Sequence, residues 1–262
     1  MASIGMAEQS EEQRTQYESE AVRIIELAAE QGITLRLLGS LAFHLQCPRY
    51  GYLQQALGRS YTDIDFAGYR TETARVAALF GGMGYREDPE VNLYFAGERM
   101  IYYHPTIDGF YVDVFFDRLN FCHEINWVGR LDKEALTLPF AEMLMEKMQI
   151  VEINEKDVID TIMFLLEHPL ADHDERAINI RLIGELCAKD WGLWRTLTMN
   201  LEKVSQLAHS YDLLSEAEKA RVTEQVGRAL ERINQEPKSM SWKLRAMVGD
   251  RVKWYQDVDE VS

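Results

Sequence analysis

Long apolar runs, paired cysteines and a surplus of positive charge are all missing from this chain of 262 residues. No apolar stretch approaches the roughly 20 residues that a membrane-crossing helix needs, so a helical membrane protein is not expected. Near the start, Glu8-Gln9-Ser10-Glu11-Glu12-Gln13 is polar where a secretory signal has its apolar core. The cysteines Cys47, Cys122 and Cys187 are odd in number, far apart and without Cys-x-x-Cys spacing. Free thiols in a reducing, cytoplasmic compartment and no zinc cluster are therefore expected. Lys and Arg number 28 against 43 Asp and Glu, a formal charge of −15. That balance disfavours indiscriminate binding to a nucleic-acid backbone, which depends on cations displacing condensed counterions. Neither a P-loop nor a Gly-x-Ser-x-Gly elbow occurs, and none of the six histidines has the i, i+4 partner of a helical zinc site. Internal repeats and low-complexity tracts are absent as well.

What is present centres on Tyr61-Thr62-Asp63-Ile64-Asp65-Phe66. In a strand, side chains alternate faces, so Asp63 and Asp65 point one way and Ile64 the other. Two carboxylates on one face suit a hard cation such as Mg²⁺ or Mn²⁺, which keeps open positions for substrate phosphates. Upstream, Leu35-Arg36-Leu37-Leu38 reads as a strand and Leu41-Ala42-Phe43-His44-Leu45 as the first turns of a helix, with Gly39-Ser40 between them. Glycine allows close backbone approach and a helix start favours phosphate, so Gly39 and Ser40 outline a phosphate pocket. His44 lies one turn further on, either near the phosphates or as a core or capping residue.

A third carboxylate is expected, and Phe110-Tyr111-Val112-Asp113-Val114-Phe115-Phe116 supplies one in the middle of a β-rich run. Asp113 fits a metal ligand on a neighbouring strand. Asp117 competes with it if the strand register slips by two residues, which would leave Asp113 as an ordinary surface acid.

At 47% hydrophobic residues the chain can bury one large core or two smaller ones. Residues 1 to 14 are expected to be disordered. Tyr17 to Gln31, apolar at Val22, Ile25, Leu27 and Ala28, reads as an amphipathic helix stopped at Gly32. Strands follow near 33 to 38, 62 to 67, 99 to 103 and 110 to 116, with helices near 40 to 46 and 71 to 80 and a breaker at Gly81-Gly82-Met83-Gly84. This mixture predicts an α+β fold with an α/β-like N-terminal half, a core over 15 to 137 whose mixed sheet carries the carboxylates on one face. From 138 to 262 the pattern is helical. A helix follows Pro139 through Leu144, Met148 and Val151, and another carries Val158, Ile162 and Leu165. Further helices are expected over 174 to 188, 191 to 209, 215 to 234 and 240 to 255.

The stretch from Arg221 to Lys253 holds eight Lys or Arg against four Asp or Glu. It includes Trp242, Lys243, Arg245, Arg251, Lys253 and, just beyond, Trp254. Aromatics interleaved with cations stack bases and hold phosphates; an amphipathic helix with a solvated basic face, docked on the acidic remainder, is the favoured reading.

Gly39-Ser40, then Arg59-Ser60-Tyr61-Thr62-Asp63-Ile64-Asp65-Phe66, then Asp113 on a later strand resembles the polymerase-β-type nucleotidyltransferase superfamily. Leu144-Met145-Glu146-Lys147-Met148-Gln149-Ile150, followed by Glu155-Lys156-Asp157-Val158-Ile159-Asp160, is similar to the lysine helix and Lys/Arg-Asp-x-x-Asp motif of the AbiEii/AbiGii toxin-like group. The resemblance spans about residues 33 to 168 and implies a nucleotidyltransferase-like mixed sheet with flanking helices. It implies Mg²⁺ or Mn²⁺ on Asp63, Asp65 and Asp113, a nucleoside triphosphate such as ATP on Gly39, Ser40 and Lys147, and Asp113 helping to activate an acceptor hydroxyl.

Without the resemblance, Lys147 is as well read as snorkelling at the core edge. Arg59, Asp157 and Asp160 are supporting residues: the two aspartates share a helix face, with Asp157 pairing Lys156 or capping and Asp160 orienting Lys147. The acceptor implied is an RNA end or a small hydroxylated molecule, and an antitoxin-like protein partner is also implied. The alternative is a nucleotidyltransferase fold that binds nucleotide or a partner protein without turnover. The chain departs from the family pattern in a long insertion from Gln46 to Gly58.

Overall fold

The computed structural model of the chain describes residues 11–95 and 97–258. Helix α1 (Glu11–Glu30) already includes residues 11 to 14, four residues of the segment expected to be disordered; the other ten lie outside the described residues. Its buried stripe is Ala21, Ile24, Ile25 and Ala28, the i, i+3, i+4, i+7 set of one helical face. Val22 and Leu27, expected on that face, flank it.

Strand β1 (Leu35–Leu38) leads directly into α2 (Gly39–Gln46), and the segment read as an insertion contains a further short helix, α3 (Tyr52–Ala56). Next come β2 (Asp63–Gly68), α4 (Thr73–Gly82), β3 (Arg86–Glu87), α5 (Pro89–Tyr94), β4 (Arg99–Tyr103) and β5 (Tyr111–Phe116). The five strands form one mixed sheet in the order β1-β2-β5-β4-β3, in which only β2 and β5 run parallel. A parallel pair needs a crossover, and the chain from α4 through β4 provides it. Helix α4 runs through Gly81 and Gly82, past the expected breaker, and the reversal falls at Gly84, whose φ is +83°.

Alternation along β2 divides the sheet into two chemically different faces. Ile64 and Phe66 are wholly buried, whereas Asp63 and Asp65 are half-buried. On the buried side Phe80 of α4 stacks on Tyr102 at 4.3 Å between ring centres, over a core that includes Leu35, Leu37, Val112 and Val114. The outer edge of β1 is covered by the chain's own return, with Leu37 N donating to Leu136 O at 2.9 Å and Leu138 N to Leu37 O at 2.8 Å. That pairing removes an open edge.

The chain divides into two compact units, one of residues 1–118 and 126–138, the other of residues 119–125 and 139–262. The excursion at 119–125, where strands β6 (Arg118–Asn120) and β7 (Glu124–Asn126) lie, was not expected from the sequence. In the second unit, α6 (Phe140–Met148), α7 (Glu155–Glu167), α8 (Ile180–Cys187), α9 (Trp191–Ala208), α10 (Glu216–Gln235) and α11 (Met240–Val248) pack as a helical assembly, with α10 against α7, α8 and α9.

The helix expected from 174 is shorter. Leu170–Ala171 (β8) pairs in parallel with Ile178–Asn179 (β9), and α8 starts only where Asn179 caps it through Leu182 N. The helix expected to reach 255 ends at Val248, because Gly249 takes φ +60° and Arg245 donates to its carbonyl at 2.8 Å. All three cysteines are free and buried, and no helix among the described residues is long and apolar enough to cross a membrane.

Within this second unit Lys147 lies between Asp157 (2.8 Å) and Asp160 (3.2 Å), and Asp160 is fully buried. Removing the ammonium strands buried carboxylates, so Lys147→Met is expected to destabilise the fold by about 3 kcal/mol. Urea unfolding followed by circular dichroism tests this: a clearly lowered midpoint is expected, and an unchanged midpoint would show that the pair is dispensable.

Candidate active site

The register of β2 against β5 decides which carboxylates meet. Asp65 pairs with Asp113 and Asp63 with Tyr111, and Asp65 also faces Leu38 at the end of β1. Residues paired across a sheet share a face, so Asp63, Asp65 and Asp113 lie side by side on the face opposite Ile64 and Phe66. Asp117, the competing acid, is outside the strand: it takes φ +64° and its carboxylate accepts from Arg70 N at 3.0 Å.

Gly39 abuts this row. A Cβ built on it would run into the Asp65 carboxylate, and its φ of +73° is one that only glycine adopts without strain. The first turn of α2 therefore opens beside Asp65, with Ser40 in it. The residue in the capping position, Leu38, supplies no side-chain cap, so this helix start has no carboxylate or hydroxyl of its own at that position. α3 stabilises the turn from the far side: Gln54 Nε2 donates to Ser40 O at 3.1 Å, while its Oε1 accepts from the Tyr61 hydroxyl at 3.0 Å and stands 3.2 Å from His44 Nδ1. His44 thus belongs to a packing network, which also brings its Nε2 to 3.3 Å from Glu18.

Two residues that the sequence reading did not single out complete the face. The Tyr111 hydroxyl donates to Asp63 Oδ2 at 3.0 Å, and burial together with the Asp63 charge raises its pKa well above the usual phenol range. Arg99, at the start of β4, donates from Nε to both Asp113 oxygens (3.1 and 2.9 Å) and from Nη2 to Oδ2 (2.6 Å). Its guanidinium carbon lies 5.3 Å from the ring centre of Phe95 and 5.2 Å from that of Phe115, cation–π distances on two rings. Burial works against the Arg99 charge, but the hydrogen bonds and charge of Asp113, with the charge of Asp65, hold its pKa raised. Burial pushes the Asp113 carboxyl up to about 6; Arg99 pulls against that rise and Asp63 adds to it.

The donor chemistry of Asp63 and Asp65 fits a hard divalent cation. Both Asp113 oxygens accept from Arg99, and among the described residues no three acidic, His or Cys side chains converge as a ready ligand set. The three aspartates expected to form the seat thus share one face, with Asp113 paired to Arg99. The signal for Arg99 was a lone cation heading the apolar run Met100-Ile101-Tyr102-Tyr103. Its partner became visible only with the β4–β5 register.

Of the remaining expected site residues, Lys147, Asp157 and Asp160 belong to the second unit and Arg59 to the first. Lys147, expected on nucleotide phosphates, is doubly paired with Asp157 and Asp160, so Asp157 pairs Lys147 and not Lys156. Arg59 is half-buried in the loop leading to β2, its N–H donating to Gln54 O at 2.9 Å.

The basic C-terminal stretch is bound up in its own unit. Arg245 lies 4.4 Å over the Trp191 ring and donates to Gly249 O and Val252 O, while Arg195 of α9 pairs with Asp250 at 2.9 Å. Arg251 donates to Met247 O and Val248 O, Lys253 pairs with Asp257, and Trp254 Nε1 donates to Thr196 Oγ1 at 3.0 Å. Arg245→Gln is accordingly expected to cost about 1–2 kcal/mol of stability and to leave the salt dependence of any RNA binding unchanged. Melting temperature measured beside RNA affinity across a salt series checks both; a flattened salt slope in a fully stable variant would identify a nucleic-acid contact instead.

No family model matches this chain, and no curated protein matches it. Among solved structures it is similar to the solution structure of the antibiotic-resistance factor ANT(2'')-Ia, at 12% identity and a TM-score of 0.42, over 67% of this chain and 95% of that one. A likeness that distant carries no argument about residues or activity.

Proposed function

We propose that this protein is a metal-dependent nucleotidyltransferase that moves a nucleoside monophosphate from a nucleoside triphosphate to a hydroxyl acceptor. The observation that carries the reading is the β2 register: two half-buried carboxylates, Asp63 and Asp65, on one face, directly beside a glycine turn with no room for a Cβ. Asp63 and Asp65 would hold Mg²⁺ or Mn²⁺, which when bound supplies charge neutralisation on the phosphate oxygens. Gly39 and Ser40 bring backbone N–H groups and the positive end of α2 to the same place, where they bind and orient the phosphates. Tyr111 fixes the orientation of Asp63 through its hydrogen bond. The work assigned to these residues is positioning and charge compensation, which phosphoryl chemistry requires more than a covalent nucleophile. Asp113 receives no proton-accepting role here, because its oxygens already accept from Arg99.

That same engagement of Asp113 favours a second reading, a fold that binds nucleotide without turnover. Acceptor classes remain an RNA end and a small hydroxylated molecule, and an antitoxin-like partner belongs to the same proposal. Pyrophosphate release with each of the four nucleoside triphosphates, in the presence of RNA or of small-molecule pools, separates enzyme from binder and one acceptor from the other. Asp63→Asn and Asp65→Asn are expected to lower release by about a hundredfold or more while the fold persists, since each removes a like charge from a crowded face. Near-normal release by either variant at saturating Mg²⁺ would refute the metal seat.

A further inference from the structure

We propose that Arg99 is a phosphate-binding residue of this site and that Asp113 is its positioning residue, so that the cation seat consists of Asp63 and Asp65 alone. The ligand class is the phosphate chain of a nucleoside triphosphate, or inorganic pyrophosphate. The inference rests on the nucleotidyl-transfer reading for the identity of that chain, and on geometry for the rest.

The guanidinium is held from three sides. Nε and Nη2 donate to the buried Asp113 carboxylate, and Phe95 and Phe115 provide aromatic faces at cation–π distance. A planar cation clamped in this way loses little freedom when it takes a further anion. Nη1 donates to no described residue, and the side chain keeps 18% of its surface open. One edge of the fork is thus committed to Asp113 and another is available to phosphate, which guanidinium N–H groups bind by charge-assisted hydrogen bonds.

Charge and position agree. Arg99 offsets one of the three carboxylates in the row, and the acidic pair on β2 suits a divalent cation. Across the sheet the order is β1-β2-β5-β4. The start of α2 after β1 therefore lies on one side of the Asp63–Asp65 pair and Arg99 of β4 on the other. A metal-bound phosphate chain is a negative ligand with a positive centre. An acidic pair flanked by two positive groups is its complement.

The test uses the full chain and two probes, Mn²⁺ alone and Mn²⁺ with inorganic pyrophosphate, titrated calorimetrically. Asp63→Asn is expected to weaken Mn²⁺ binding about tenfold or more, Asp113→Asn to leave it nearly unchanged, and Arg99→Lys to leave Mn²⁺ binding intact while weakening pyrophosphate about tenfold or more. Asp113→Asn should weaken pyrophosphate too, with Mn²⁺ affinity retained, a split that a merely structural role would not produce. If Asp113→Asn fails to fold, the pair Arg99→Met with Asp113→Leu removes both charges together; retained Mn²⁺ affinity with lost pyrophosphate affinity is again expected. Loss of Mn²⁺ in the Asp113 variants as severe as in Asp63→Asn would make Asp113 a metal ligand and overturn the inference, as would unchanged pyrophosphate affinity in Arg99→Lys. Failure of nucleotidyl transfer with the affinity pattern intact would refute the activity and leave the Arg99 assignment standing.

Discussion

Carboxylates set side by side on one face of a sheet repel one another, and the first unit is arranged around that repulsion. Each of the three receives a different compensation. Asp113 is buried and takes the Arg99 guanidinium, and Asp63 takes the Tyr111 hydroxyl. Asp65, next to both in the sheet, lies against Gly39 and within the field of Arg99. Gly39 lacks a side chain because that carboxylate occupies the space a Cβ would need, and β4 begins with a cation because β5 buries an anion beside it. Local choices that look unrelated in sequence answer one electrostatic demand.

Much of this arrangement is legible in the residues themselves. Alternation in Asp63-Ile64-Asp65-Phe66 is a local property, and β2 places each residue on the side that the alternation assigns. The same holds for Asp113, a single acid in an apolar run, and for the strand-to-helix passage at Gly39. Arg99 and Tyr111 were not legible as site residues, because their meaning depends on which strands pair and in what register. The β2 and β5 strands pair in parallel across a long stretch of intervening chain, and nothing local in that chain specifies the partner. The long helix expected from 174 failed for a related reason: two-residue strands at 170–171 and 178–179 leave almost no periodic trace, yet their pairing delays the helix to the Asn179 cap.

The second unit shows what charge composition reports. Eight cations against four acids read best as a solvated basic face docked within the chain; Arg251 and Lys253 are indeed exposed, and with Arg245 they bond carbonyls, a ring and an acid of the same unit. Lys147 is a similar case, since its two aspartates come from the next helix and neutralise it. In both, charge in the sequence reports on packing as much as on ligands.

The central claim is that Asp63 and Asp65 hold a divalent cation through which a triphosphate binds. The most direct measurement is the thermal midpoint of the wild-type chain with nucleoside triphosphate, in Mg²⁺ and in chelator. Ligands that prefer the native state raise the midpoint, and a chain of −15 formal charge repels an uncompensated anion. A rise with Mg²⁺ that nearly vanishes in chelator is the predicted result; an equal rise in both would contradict the account and locate the nucleotide at some other site.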